Sequence, residues 1–124
     1  MVLYRGMKED ADGLPACGST VRTLGVRVPR DIKPDPAGRV RPGTGGMSVA
    51  PDDPLNLQPH RRPRTLGGTG PDPVFFMAAE HPRPALQVRR DRPGHALIEP
   101  SSAMEIAFYV HALHQTRPMW RKLP

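Results

Sequence analysis

Proline and glycine interrupt this chain so often that long regular elements have little room to form. The 124 residues include 17 prolines and 12 glycines, a content close to that of low-complexity chains. The apolar residues are nevertheless clustered in short runs, such as MVLY at residues 1–4 and VFFM at residues 74–77. This clustering predicts one small folded domain, residues 1–124, with short elements joined by proline-stiffened connections.

Several of the apolar runs have the length and pattern of β-strands. Leu24, Val26 and Val28 alternate with polar residues, which predicts a half-buried strand over residues 20–28. Other short runs predict strands at residues 2–5, 74–77, 86–89 and 95–99. Residues 34–73 lack periodicity, and so long a loop is unusual in a compact domain. This region is therefore expected to carry function or short strands, with MSVA at residues 47–50 as the best candidate.

One helix is predicted, over residues 102–116. Ser102 and Glu105 have the spacing of a capping box, in which each side chain satisfies a backbone N–H at the helix start. An apolar stripe for packing on a sheet follows, formed by Ile106, Tyr109, Val110 and Leu113. Beyond the helix, Trp120 is expected to pack the basic tail. Short strands followed by one late amphipathic helix predict an α+β fold.

The charge balance favours an anionic partner. The formal net charge is +6, and most of the positive charge is arginine, concentrated in HRRPR at residues 60–64 and RRDR at residues 89–92. Nucleic acid, a phosphorylated cofactor and an acidic protein all fit this balance. The few aromatic residues lie mostly in predicted core elements, so no stacking platform is expected and nucleic acid is the less favoured partner.

The glycine-rich stretch at residues 43–46 does not match either common nucleotide loop. A Walker loop needs a lysine after its last glycine, and a dinucleotide fingerprint needs a helix after its glycines; this stretch is instead followed by MSVAPDDP. The five histidines lack ligand spacing apart from His111 and His114, so no metal site is predicted.

The remaining features point to a cytoplasmic protein. Cys17 is the only cysteine, which excludes an intramolecular disulfide, and it is expected to be a small buried or loop residue. The N-terminus lacks the pattern of a signal peptide, and no apolar run approaches the roughly 20 residues of a membrane span.

Four fragments, in order, resemble the cytoplasmic toxins of the type VI secretion system that have an ADP-ribosyltransferase-like fold, the Tse-two family. They are LYR at residues 3–5, TGGMSV at residues 44–49, LQVRRD at residues 86–91 and HALIEP at residues 95–100. Each fragment alone is weak, but their order and spacing are moderately specific. The resemblance implies a split, bent β-structure with an NAD site in its cleft.

The resemblance also implies roles for individual residues. Arg5 would bind the phosphates of NAD, and the planar guanidinium suits a bidentate contact. Ser48 would hold the nicotinamide ribose, and the glycines would let the backbone approach the dinucleotide. Glu99, rather than Glu105, would be the catalytic carboxylate that stabilises the charge formed as nicotinamide leaves. The residues implied to contact NAD are Tyr4, Arg5, Thr44, Gly46 and Ser48.

The resemblance therefore implies a toxin that inhibits bacterial growth and is neutralised by a cognate immunity or antitoxin protein, expected to be acidic. Transfer of ADP-ribose to a target macromolecule, hydrolysis of NAD and binding without turnover are all open. The alternative is a basic module that binds nucleic acid or protein without catalysis.

Overall fold

A computed structural model describes all of residues 1–124 and shows a mixed α+β fold. Six antiparallel strands form the main sheet, and one helix lies near the C-terminus. The sheet strands are β1 (Val2–Gly6), β3 (Met47–Pro51), β4 (Val74–Ala78), β5 (Leu86–Arg92), β6 (His95–Pro100) and β8 (Arg121–Lys122). Strands β2 (Arg39–Val40) and β7 (Met104–Glu105) form a separate pair. The predicted α+β class is confirmed.

The strand order β5-β6-β3-β1-β4-β8 places the N-terminal strand inside the sheet. β1 pairs with β4 over its whole length, from Val2 opposite Ala78 to Gly6 opposite Val74. Its pairing with β3 is much shorter and ends at Tyr4 opposite Ala50. Strands β1 and β3 therefore separate beyond Tyr4, and the sheet opens at Arg5.

The hydrophobic core joins the sheet to the C-terminal segment. Helix α1 (Ile106–Gln115) contributes Tyr109, Ala112 and Leu113 as buried residues. Ile106 and Val110 pack against the same core, so the predicted stripe is confirmed. Trp120 is 1% exposed, as predicted, but the tail does not simply trail off, because β8 extends the sheet beside β4.

The predicted helix start is wrong. Helix α1 begins at Ile106, and Glu105 precedes it without a side-chain capping hydrogen bond. The reason is tertiary: Met104 and Glu105 pair with Val40 and Arg39 in a β-ladder, and this extended backbone delays the first helical turn. The local capping pattern at Ser102 is overridden by that pairing.

The strand predicted over residues 20–28 is also wrong, because this segment forms turns and contains only an isolated bridge between Leu24 and Cys17. Leu24 and Val26 are buried as the alternation indicated, whereas Val28 is 48% exposed. Gly25 has a φ of 158°, and a Cβ there would lie 1.7 Å from the carbonyl oxygen of Gly18, so the chain folds back too tightly for a ladder. Cys17 is an exposed loop residue.

The other predicted strands are present, with small extensions. The aperiodic region 34–73 contains β2, β3 and three short 3-10 turns. The turns are Pro54–Asn56, Pro59–Arg61 and Arg64–Leu66. They carry the chain from β3 back across the end of β1, where a Cβ at Gly6 would lie 2.6 Å from the carbonyl oxygen of Arg61. The loop therefore forms a wall beside the opening in the sheet.

Candidate functional site

A cleft of about 220 Å³ lies where β1 and β3 separate. Its walls come from the ends of these two strands, the loop around residues 21–31, the loop around residues 56–61 and the turn between β5 and β6. Four guanidinium groups line it, against one carboxylate. These charged residues are Arg5, Arg27, Arg61, Arg92 and Asp31. The cleft is therefore strongly positive and suited to an anion.

Arg5 is a buried cation without a carboxylate partner, and it is only 7% exposed. Its Nε and Nη2 donate to the carbonyl oxygen of Thr23 at 3.2 and 2.7 Å, and its Nη1 donates to that of Ser48 at 2.7 Å. Burial lowers the pKa of Arg5 to about 10, so the guanidinium remains charged at neutral pH. One of the N–H groups on Nη1 has no acceptor in the protein.

This arrangement limits how Arg5 can bind a ligand. The bidentate phosphate contact that the resemblance implies is not available, because the carbonyls of Thr23 and Ser48 occupy most of the guanidinium donors. Arg5 can still give one N–H to the cleft, and its positive charge is offset by the nearby carboxylate of Asp31 without a direct ion pair. Further contacts to an anion must come from the other arginines.

Arg27 and Asp31 form a closed ion pair in the cleft wall. Nε and Nη2 of Arg27 donate to the two carboxylate oxygens at 3.1 and 2.8 Å, and the backbone N–H of Arg27 donates at 2.7 Å. Burial by itself would raise the pKa of Asp31, but these hydrogen bonds outweigh it and the pKa is lowered. Asp31 is therefore an ionised and fixed carboxylate, and Arg27 has little charge to spare.

Arg61 and Arg92 are the free cations of the cleft. The Arg61 side chain makes no ion pair with any carboxylate. Burial lowers the pKa of Arg5 most, and the nearby positive charge of Arg61 lowers it further. Arg92 reaches only Asp91, at 3.7 Å. These two groups can move onto a ligand without breaking a strong pair.

Of the predicted site residues, the structure brings Arg5 and Ser48 together. Their contact is through the Ser48 carbonyl, and the Ser48 side chain is exposed beside the cleft. Tyr4 does not line the cleft, and its ring lies 6.4 Å from that of Phe76. Because successive strand residues face opposite sides, Tyr4 and Arg5 point away from each other.

The glycine-rich stretch also lies outside the cleft. The Thr44 hydroxyl donates to the carbonyl of Arg41 at 2.7 Å. A Cβ at Gly46 would lie 2.5 Å from the carbonyl oxygen of Ile98. Gly46 therefore permits a close approach to β6, whereas the resemblance implied a close approach to the dinucleotide.

Glu99 is 1% exposed and does not line the cleft. Its Oε1 accepts from Arg89 Nε at 2.9 Å and from the Gly43 backbone N–H at 3.1 Å, and its Oε2 accepts from Gln87 Nε2 at 2.8 Å. Burial would raise the pKa of Glu99, but the donors outweigh it and the pKa is lowered. The carboxylate is held apart from Arg5 and Ser48, so its catalytic role stays a prediction.

Comparison with known proteins yields no relative. No family model matches the chain, and neither a curated protein nor a solved structure matches it. The resemblance to the toxin family thus stays a prediction, and the function has to be argued from the cleft. None of the helices combines the length and the apolar character that a membrane span requires.

The sequence indicated some of the cleft residues without assigning them. Arg61 and Arg92 belong to the two arginine-rich segments that marked the chain as basic. Arg27 was predicted to end a strand and Asp31 to lie in the loop after it. The sequence therefore gave no indication that these two residues, four apart, form an ion pair. Only the fold places these four residues around Arg5.

Proposed function

We propose that the chain is an ADP-ribosyltransferase-like toxin domain that binds NAD in the cleft beside Arg5. The observation that carries this proposal is a buried guanidinium with an unused N–H, no carboxylate partner and an open cleft beside it. A buried charge without a directly bonded counterion is costly, and Asp31 acts on Arg5 only through space. The pyrophosphate of a dinucleotide would supply negative charge in direct contact with Arg5.

The remaining cleft residues support a phosphate ligand. Arg61 and Arg92 supply the donors that Arg5 lacks, and guanidinium groups bind phosphate oxygens with strong charge-assisted hydrogen bonds. The cleft volume of about 220 Å³ is below the roughly 300–1,000 Å³ of complete ligand pockets. The cleft would therefore enclose only part of the dinucleotide, with the pyrophosphate beside Arg5, and the rest would lie along the surface.

Reaction at this site needs a negative charge near the sugar carbon that loses nicotinamide. The family resemblance implies Glu99 for this role, whereas the carboxylate that lines the cleft is Asp31. Either water or a nucleophile on a target macromolecule would attack that carbon as the bond to nicotinamide breaks. Hydrolysis and transfer thus share the first part of the reaction.

A growth-inhibiting enzyme must be controlled in the cell that makes it. The net charge of +6 supports an acidic immunity or antitoxin protein as the neutralising partner, because opposite charges speed association. The proposed place of action is a bacterial cytoplasm, reached by type VI secretion in the case of a target cell.

Calorimetric titration with NAD and detection of released nicotinamide test the proposal. Replacing Arg61 with alanine removes a cleft cation that makes no ion pair, so we expect NAD affinity to fall about tenfold or more without loss of stability. Arg64→Ala is the matched control, since Arg64 lies in the same loop but not in the cleft.

Two results would contradict the proposal. The first is an absence of NAD binding at millimolar concentration, and the second is an equal loss of affinity in the Arg61 and Arg64 variants. The toxin role has its own test: strong expression in bacteria should arrest growth, and Arg61→Ala should relieve the arrest. Normal growth despite folded wild-type protein would count against a toxin.

A further inference from the structure

A second basic site lies outside the cleft, in an open groove of about 520 Å³. We call it the basic groove and define it by Lys33, Arg39, Arg41 and Thr44, with Asp35 and two prolines completing its walls. No aromatic side chain and no Val, Leu, Ile or Met side chain lines it, and its apolar surface comes from the rings of Pro34 and Pro36 and the stems of the long cationic side chains. The groove therefore offers charge and hydrogen bonds and lacks a large apolar anchor.

The cations of the basic groove lack counterions. Lys33 and Arg41 make no ion pair and no side-chain hydrogen bond, and Arg39 gives one N–H to the carbonyl of Ala103 at 3.3 Å. The only carboxylate is that of Asp35, which accepts from the backbone N–H groups of Ala37 and Arg39 at 2.9 and 3.0 Å. Three cations and one carboxylate thus line the groove, which leaves it with a net positive charge.

The backbone of the groove is fixed by its own hydrogen bonds. Lys33 N–H donates to the carbonyl of Thr44 at 3.2 Å, and Asp35 N–H donates to that of Arg39 at 2.9 Å. The Thr44 hydroxyl closes the turn by donating to Arg41. Because the loop is already ordered, a ligand need not pay to order it on binding.

We propose that the basic groove binds the phosphate backbone of a nucleic acid strand. Phosphate groups are bound mainly by cationic side chains and hydrogen-bond donors, and most protein contacts to nucleic acid are made to the sugar–phosphate backbone. An acidic protein is the less suitable occupant, because protein interfaces are anchored by buried aromatic and large aliphatic side chains, whereas the only apolar residues that line this groove are two prolines. The absence of a stacking residue makes the binding independent of base sequence.

The groove lies next to the cleft in the chain: Asp31 lines the cleft and Lys33 lines the groove. Binding in the groove needs no NAD turnover, so the two proposals can fail separately.

Fluorescence anisotropy with a labelled 20-nucleotide oligouridylate tests the groove. The double variant Lys33→Glu/Arg41→Glu should bind about tenfold more weakly, and the slope of log affinity against log salt should fall by roughly 1 to 1.5. Lys8→Glu/Arg83→Glu is the control, since both residues are exposed, lie outside the groove and change the net charge equally. This control should lose much less affinity.

Titration of wild-type protein, followed by NMR, supplies a readout that does not depend on a variant folding. Backbone amide shifts should change most at residues 33–44 when the oligonucleotide is added. The proposal is overturned if both double variants weaken binding equally, if the shifts change elsewhere, or if the wild type does not bind at low salt. Equal binding of a labelled polyglutamate peptide would assign the groove to an acidic protein instead.

Discussion

Two buried charged side chains, Arg5 and Glu99, are compensated in different ways. Arg5 is held by neutral backbone carbonyls, which leave its net charge available to the cleft. Glu99 is held by the guanidinium of Arg89, the amide of Gln87 and a backbone N–H, which leave its carboxylate little capacity for a ligand. At this scale Arg5 is the stronger candidate for function, and Glu99 has an evident structural role.

Glu99→Gln should therefore destabilise the protein in a pH-dependent way. The pKa of Glu99 is lowered in the folded state, so its contribution is present above the unfolded pKa of about 4.3 and is lost as the pH falls through the folded pKa. We expect the variant to lose about 1–3 kcal/mol at pH 7 and the difference to shrink below pH 4.5. Urea denaturation at several pH values measures this.

Glu105→Gln is the matched control, because Glu105 is exposed and should give a nearly unchanged midpoint at every pH. A difference for Glu99→Gln that persists unchanged at pH 3 would contradict the stabilising role of the ionised carboxylate. Relief of toxicity by a Glu99 substitution would indicate catalysis only if the variant is folded.

At the scale of elements, one buried hydroxyl group adds hydrogen bonds between helix α1 and the sheet to their hydrophobic packing. Tyr109 is fully buried, and its oxygen accepts from the Met47 N–H at 3.1 Å and donates to the Ile98 carbonyl at 2.6 Å. These two partners lie on β3 and β6, directly opposite each other. The hydroxyl thus joins α1, β3 and β6, and its partner on β3 is the residue before Ser48.

Removing this hydroxyl should cost stability without changing the fold. Tyr109→Phe leaves a buried N–H and a buried carbonyl unpaired, for which we expect a loss of about 1–3 kcal/mol in urea denaturation. The neighbouring residue Phe108 is 69% exposed, so Phe108→Ala should change stability by less than about 0.5 kcal/mol. Equal effects of the two substitutions would show that the hydroxyl does not couple the elements.

The same contacts explain which elements could be predicted from the sequence. Strands β4 and β6 follow from compact apolar runs, since local pattern and burial agree there. The start of α1 and the segment at residues 20–28 could not be predicted, because distant partners fix the backbone: Arg39 pairs with Glu105, and the Arg5 side chain binds the Thr23 carbonyl. Local propensity has no access to such pairings.

For the molecule as a whole, the site depends on segments that are distant in the chain. The cleft combines Arg5, Asp31, Ser48, Arg61 and Arg92, which only the strand order brings together. The resemblance pointed to Arg5, Ser48 and Glu99, and only the first two line the cleft. The position of Glu99 could not be predicted, because the period of a strand gives the face of a side chain and not its neighbours. Because several strands contribute these residues, we expect the cleft to be present only while the sheet is folded.

The last residues of the chain offer a test of this dependence. Trp120 is 1% exposed, its Nε1 donates to the Thr116 hydroxyl at 3.0 Å, and it precedes β8 at the sheet edge. Trp120→Ala should cost about 3–5 kcal/mol, a large part of the roughly 5–15 kcal/mol of a typical domain. NAD binding in the cleft should weaken to the extent that the variant is unfolded.

Far-UV circular dichroism in urea measures the loss of stability, since the variant lacks the only tryptophan and gives no tryptophan fluorescence. Met119→Ala is the control: this residue is 40% exposed, and the variant should unfold close to the wild-type midpoint. An unchanged midpoint for Trp120→Ala would mean that the C-terminal segment is dispensable for the sheet and for the cleft.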